Sequence, residues 1–380
     1  MAKTVKRAYR YRFYPTPGQA GLLNRTFGCV RYVYNRALAE RSRAWTQEKK
    51  RVTFAQTCRM LTQWKAEPER AWLREVSNVA LQQGLQHLQA AFVNFWGKRA
   101  GYPQFKSKRK SGASATFTAS GFRYRDGQLW LAKMTAPLDV RWSRPLPEGA
   151  EPSTVTVSRD AAGRWHISIL VETTVETLPP LDTAVGTDAG ITSLLTLSTG
   201  EKIANPRHER RDRQRLAKAQ RELSRKQKGS ANREKARRKV ARVHARIADR
   251  RADFLHKVTT RLVRENQALA VEDLSVRNMV KNRSLARAIS DASWSEFRRM
   301  LEYKAGWHGR TVIAVDRFYP SSRTCSACGA ITAKMPLSVR EWECASCGAF
   351  HDRDVNAAKV ILAAGLAVAA CGDGVRPSRA

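Results

Sequence analysis

Four cysteines in one short window constrain this chain more than any other feature. Cys325-Ser-Ala-Cys328 and Cys344-Ala-Ser-Cys347 form two C-x2-C pairs with fifteen residues between them. Two residues between thiols let one tight turn present both sulfurs to a single ion, and two such knuckles complete a tetrahedral shell. Gly329 and Gly348 each follow the second cysteine of a pair, where the turn needs a permissive backbone. The spacing predicts a Zn²⁺ site. Four thiolates leave no position open for water, so the expected centre is structural and not catalytic. The other cysteines, Cys29, Cys58 and Cys371, read as packing residues.

Charge narrows the choice of partner. Lys and Arg number 69 against 33 Asp and Glu, a net charge of +36 over 380 residues. Such a field attracts polyanions, and each neutralised phosphate releases a counterion. Nucleic acid is the expected partner. The longest apolar run, 360–371, is shorter than a bilayer requires. Met1-Ala-Lys-Thr-Val-Lys-Arg7 lacks the apolar stretch of a signal peptide. The expectation is a cytoplasmic, nucleoid-associated protein with reduced thiols and no membrane partner.

Periodicity divides the chain. Residues 7–14 alternate, with Arg7, Tyr9, Tyr11 and Phe13 on one face, so they read as a strand. Thr16, Pro17 and Gln19 then form a capping box that starts a helix. Helical patterning continues to about residue 97, with interruptions expected at Gly28, 48–50 and Glu67-Pro68. Short strands are expected near 114–119, 128–132, 138–142, 153–159 and 164–172, the last two joined by a hairpin turn at Asp160-Ala-Ala-Gly163. With the N-terminal strand they are expected to close a small β-barrel. A linker follows at 174–182, then strands near 184–188 and 191–197. Residues 205–251 hold 19 Lys/Arg and 5 Asp/Glu, a local excess of 19 − 5 = +14, broken at Lys228-Gly-Ser230. Beyond the break Val240, Val243, Ile247, Phe254, Val258 and Leu262 fall at helical spacing, which predicts a basic helical hairpin with one apolar stripe. Buried-type strands at 268–271 and 311–315 flank a helix containing Trp294, Phe297 and Leu301.

Three acids fall at the ends of these elements. Asp188 closes the 184–188 strand, Glu272 closes the 268–271 strand, and Asp354 stands where the final helix begins. Taken singly, each has a plain reading as a turn former, a surface residue or a helix cap. Carboxylates gathered at neighbouring strand ends repel one another, but become favourable around divalent cations that hydrolyse a phosphodiester. The series hairpin, strand, strand, helix matches the RNase H-type order.

Together these segments resemble the TnpB (OrfB) family of small bacterial insertion sequences, related to the type V CRISPR effector nucleases. The matching motifs are Val185-Gly-Thr-Asp-Ala-Gly190, Val271-Glu-Asp-Leu274, Phe318-Tyr-Pro-Ser-Ser-Arg-Thr-Cys325, the two knuckles and Asp352-Arg-Asp-Val-Asn-Ala-Ala358. Similar segments also lie at Phe13–Thr16, Arg31–Asn35, Pro103–Lys106, Leu223–Lys226 and Lys228–Arg233. The resemblance implies an α/β RuvC-like (RNase H-type) nuclease domain at 181–320 and 349–364, with the basic hairpin at 205–266 and a zinc ribbon inserted at 321–348. It implies a WED-like β-barrel from 1–15 and 101–180, a REC-like helical domain at 16–100 and a flexible tail at 365–380. It implies Asp188, Glu272 and Asp354 as catalytic acids holding Mg²⁺, two ions by expectation, and Cys325, Cys328, Cys344 and Cys347 as zinc ligands. The implied activity is RNA-guided cleavage of double-stranded DNA beside a short element-adjacent motif, with the element's transposase as an indirect partner. A non-cleaving RNA-guided repressor, a transposase and an RNA-independent junction resolvase are the competing readings.

Overall fold

The computed structural model describes residues 2–109, 112–336 and 338–370. They fall into two compact units, one spanning Thr4–Thr174 and the other built chiefly from Val175 onward.

The first unit runs β1 (Ala2–Phe13), α1 (Pro17–Glu48), α2 (Phe54–Ala66), α3 (Asn78–Trp96), β2 (Ala113–Thr118), β3 (Phe122–Arg125), β4 (Gln128–Leu131), β5 (Val140–Arg141), β6 (Pro152–Arg159) and β7 (Trp165–Glu176). The alternation in β1 is real: Tyr9, Tyr11 and Phe13 are buried while Arg10 is exposed. α1 starts as its capping box predicts, with the Thr16 hydroxyl accepting from the Gln19 amide and the Gln19 side chain accepting from the Thr16 amide. Gly28 does not interrupt it. A glycine inside a helix costs about 1 kcal/mol, and the burial of Phe27, Cys29 and Val30 around it outweighs that. The expected turn between β6 and β7 forms, with the Gly163 amide donating to the Asp160 carbonyl.

The expected β-barrel does not. The main sheet has five strands in the order β2-β6-β7-β1-β5, its end strands are not paired with each other, and β3 and β4 form a separate hairpin. Among the described residues there is thus no closed barrel. The reason lies in what covers the sheet. Leu23 and Val30 of α1 and Leu81 and Leu85 of α3 share one core with Phe117, Val155, Ile167 and Phe13, so the apolar face is buried by helices and closure is not needed to bury it. The edge strand β5 is only two residues long and pairs through Arg141 and Val140 alone, too short to carry a ladder onward.

The second unit runs β8 (Ala184–Ala189), β9 (Ser193–Leu197), β10 (Lys202–Ala204), α4 (His208–Ser224), α5 (Ala231–Glu265), β11 (Ala268–Glu272), α6 (Val276–Met279), α7 (Ala286–Ala292), α8 (Trp294–His308), β12 (Thr311–Val315), β13 (Glu341–Glu343), β14 (Phe350–Asp352) and α9 (Arg353–Ala370). Its mixed sheet is ordered β10-β9-β8-β11-β12. β8 pairs antiparallel with β9 and parallel with β11, and β11 pairs parallel with β12. The basic hairpin is α4 with α5, pinned by Leu216, Val243 and Ile247. On one face of the sheet, Val185, Leu269 and Val271 pack with Leu255 and Leu262 of α5 and Phe297 and Leu301 of α8. On the other face, Ala270 and Val315 pack against Ile361 of α9. Residues 371–380, where Cys371 and most of the expected tail fall, lie outside the described residues.

The α9 face is built from small residues. A Cβ at Gly186 would collide with the Ala358 carbonyl oxygen and stand 2.7 Å from the Leu362 amide nitrogen; one at Gly365 would stand 2.7 Å from Ala270 Cβ. Overpacking so close to backbone cannot be relieved by a rotamer change. Gly186→Val is expected to lower the melting temperature by more than about 5 °C or to prevent folding of this unit. Gly306→Ala, in open helical space, is expected to be neutral or slightly stabilising. Thermal melts of both variants check this.

Candidate active site and thiol centre

Strand periodicity decides where the acids go. Successive side chains alternate across a sheet, so Asp188 shares the face of Gly186, and Glu272 shares the face of Ala270. Both glycine and alanine lie against α9. β8 and β11 are parallel with Val271 beside Thr187, so Glu272 and Asp188 stand one step further along on adjacent strands. The Ala189 amide donates to the Glu272 carboxylate. α9 lies across this face, and Asp354 is in its first turn. Asp188 and Glu272 thus stand on adjacent strands, and Asp354 is near enough for its charge to bear on Asp188; each is half-buried.

Their proximity is felt electrostatically. Burial, and then the charges of Glu272 and Asp354, push Asp188 up to about 8, while Arg353 and Arg340 pull against them. Burial also raises Glu272, opposed by the Ala189 amide. A carboxyl that is protonated at neutral pH among like charges is what a divalent cation relieves, because the ion inverts the local charge balance. Acidic neighbours of the cluster are spoken for. Asp273 is held by Arg298 and Arg317. Asp352 caps α9, its Oδ1 accepting from the amides of Asp354 and Val355 at 3.0 Å each. Its Oδ2 takes Lys202 Nζ at 2.6 Å. Burial opposes the Asp352 charge, but Lys202 and the two amides outweigh it and hold the carboxyl below its usual range.

Two basic residues of the site escaped the reading of the sequence. Arg340 reaches Asp354 with Nη1 to Oδ1 at 3.4 Å. It lies in the interval between the knuckles, where nothing local marks it. Arg353 is buried and bears on Asp188. It stands inside the Asp352–Ala358 motif, where a basic residue flanked by two acids was a signal.

The four cysteine sulfurs lie within 4.8 Å of one another. Cys325 and Cys347 are separated by 3.8 Å, and Cys328 and Cys344 by 3.7 Å. A tetrahedron of sulfurs 2.3 Å from a central ion has edges of about 3.8 Å, so the donor set fits a four-coordinate metal. The knuckles match each other. The Gly329 amide donates to the Cys325 carbonyl and the Cys325 amide to that of Ala330; Gly348, Cys344 and Ala349 repeat the pattern. Gly329 and Gly348 both have positive φ, at 80° and 70°. Thiols this close conflict when left to themselves. The Ser346 and Cys347 amides draw Cys344 down to about 6, whereas Cys347, despite the Ala349 amide, is pushed up to about 12 by Cys328 and Cys344. A cation at the centre removes that conflict. Of the remaining cysteines, Cys29 is buried and Cys58 half-buried. Among the described residues no helix is long and apolar enough to cross a membrane.

The raised pKa of Asp188 has a thermodynamic sign. An acid whose folded pKa exceeds its unfolded one binds more protons when folded, so stability falls as pH rises from the unfolded value towards about 8. In the presence of a chelator, Asp188→Asn is expected to raise the melting temperature by a few degrees at pH 8.5, taken as roughly half a unit above that value. The gain is expected to shrink to a small fraction near pH 4, where the carboxyl is neutral in the folded chain and about half protonated in the unfolded one. Scanning calorimetry at the two pH values checks it.

Three family descriptions match the chain: OrfB_IS605, "Probable transposase", over residues 166–283; the Cas12f1-like TNB domain over 294–361; and the OrfB_IS605 helix-turn-helix domain over 1–50. A Streptomyces pristinaespiralis protein named "Putative RNA-guided DNA endonuclease" is 65% identical, covering 100% of this chain and 94% of its own length. The Escherichia coli K12 protein InsQ, named likewise, is 36% identical, covering 99% of this chain and 96% of its own. The fold is similar to that in "Cryo-EM structure of the Cas12f1-sgRNA-target DNA complex", with a TM-score of 0.58 at 12% identity, covering 94% of this chain and 98% of that one. Near-complete coverage at these identities leads to one conclusion: the chain belongs to the TnpB/OrfB family, which is related to the Cas12f1-type RNA-guided nucleases.

Proposed function

We propose that this chain is an RNA-guided DNA endonuclease of an insertion sequence, which hydrolyses DNA phosphodiesters at sites matched by a guide RNA beside a short element-adjacent motif. The observation that supports this reading is that Glu272, on the neighbouring strand, and Asp354, in the first turn of α9, both act electrostatically on half-buried Asp188 in a chain of net charge +36. The naming of two relatives, matched over nearly their full length, as RNA-guided DNA endonucleases supports it.

In this reading Asp188, Glu272 and Asp354 are the catalytic acids and hold Mg²⁺, two ions by the number of carboxylates. Bound magnesium supplies Lewis acidity towards the phosphodiester and the attacking water. The protein's own part is to fix three carboxylates on rigid elements and to keep Asp352 and Asp273 out of the site by pairing them. Arg340 and Arg353 offset part of the carboxylate charge, and Arg340, more than half exposed, can also meet a phosphate. Cys325, Cys328, Cys344 and Cys347 hold Zn²⁺ as a structural ion. The exposed basic faces of α4 and α5, and the strands and helices of residues 4–174, hold RNA and the guide–target duplex through backbone charge and shape, while base pairing reads the sequence.

The test is cleavage by purified protein with its co-purifying RNA and a matched DNA. The native chain is expected to cut in Mg²⁺. Asp188→Ala, Glu272→Gln and Asp354→Ala are each expected to lower the rate at least about a thousandfold while RNA retention is unchanged. Undiminished cutting by any of the three removes that residue from the site. Target binding by the native chain without breaks identifies a repressor, joining of labelled element ends a transposase, and cutting of junctions without RNA a resolvase. Elemental analysis is expected to give one zinc per chain, lost in Cys344→Ser.

A further inference from the structure

Asp188 and Glu272 are fixed by a strand ladder, but Asp354 is not. It sits in the first turn of α9, directly after β14 of the thiol-bearing segment. Besides the Asp352 cap and the packing of α9 on the sheet, that turn is held by the thiol centre's own loops. Asn356 is 1% exposed. Its Nδ2 donates to the Thr324 carbonyl at 2.7 Å, and its Oδ1 accepts from the Ser326 amide at 2.8 Å. Those two residues flank Cys325. From the other side, the Arg353 amide donates to the Arg340 carbonyl at 2.8 Å. Arg353 Nη1 donates to the carbonyls of Pro336 at 2.6 Å and Val339 at 3.3 Å. Residues 336, 339 and 340 belong to the arm that joins the two knuckles. The turn carrying Asp354 is therefore clamped by the first knuckle through Asn356 and by the arm through Arg353.

We propose that the thiol centre is the seat of Asp354: its metal fixes the first knuckle and the arm, and Asn356 and Arg353 act as positioning residues that pass this placement to the carboxylate. The proposal rests on the reading of the three acids given above. Loading of the thiol centre then sets the affinity of the acids for divalent cations. Because coupling between two binding sites is reciprocal, loosening the clamp weakens both. Truncating Asn356 leaves the buried Thr324 carbonyl, and the Ser326 amide beside it, without their partner on the knuckle itself, so the thiol centre should lose its metal faster too. Residues that orient a metal's ligands are typically worth 10–100-fold in affinity.

The test uses the full chain and reads metal binding as well as cutting. Mn²⁺ binding is measured by electron paramagnetic resonance, with Asp188→Ala defining the signal due to the acids. Zinc is removed from the native chain with a thiol-site chelator, with circular dichroism to verify that α9 and the sheet persist, and is then restored. The expected result is Mn²⁺ binding weakened about tenfold on zinc removal and regained on its return. Asn356→Ala with zinc present is expected to show about the same weakening, together with about tenfold faster zinc transfer to a chromophoric acceptor. Mn²⁺ binding that is unaltered by zinc removal overturns the coupling, even if Asn356→Ala fails to fold. Zinc release unchanged in a folded Asn356→Ala overturns the role of Asn356. Absence of any Asp188-dependent Mn²⁺ binding in the untouched chain overturns the reading of the acids, and this proposal with it.

Discussion

The second unit depends on how closely one helix can approach a sheet. Gly186, Ala270 and Gly365 remove the side chains that would hold α9 away from β8 and β11. Close approach is what lets a helix that begins well over a hundred residues after β8 deliver a carboxylate to the ends of two strands. The opposite face uses Val185, Leu269 and Val271 for a conventional core with α5 and α8. One face of the sheet therefore supplies stability through bulk, and the other supplies geometry through smallness. The alternation of strand side chains forces the acids onto the second.

Charge in this protein works at two ranges. Along the hairpin an excess of basic residues is spread in which several pairs, such as Arg213 with Glu209 and Arg237 with Glu234, are local and at least partly exposed. Such pairs contribute little to stability and leave most of the positive field free to act on a polyanion. Near the acids the balance is specific. Asp273 and Asp352 are matched to named cations, while Asp188 is raised by burial and by the charges of Glu272 and Asp354, with Arg340 and Arg353 opposing.

Local signals in the sequence were the legible ones. The capping box at Thr16, the alternation of β1, the Asp160–Gly163 turn and the two knuckles depend on residues a few positions apart, and each is found where its pattern predicts. Gly28 misled because its local cost is small against the burial around it. Closure of a barrel could not be read, because it depends on whether helices cover the sheet and on how long the edge strand is. The β3–β4 hairpin was legible and overlooked: Asp126-Gly127, with both φ angles positive, is a favoured hairpin turn. The three acids are read from their place at element ends and from resemblance; the pairing of Asp352 with Lys202, 150 residues away, has no local signal. Arg340 needed coordinates altogether.

The order of elements along the chain also sets the order of assembly during synthesis. Of the three acids Asp188 is made first and Asp354 last, 354 − 188 = 166 positions later. At about 5–20 residues per second that interval is roughly 8–30 s. Within it the arginine-rich helices α4 and α5 are made, while α9, which covers Gly186 beside Asp188, is still to come. On the reading of the acids proposed above, the basic hairpin is thus made before the third carboxylate that would arm it.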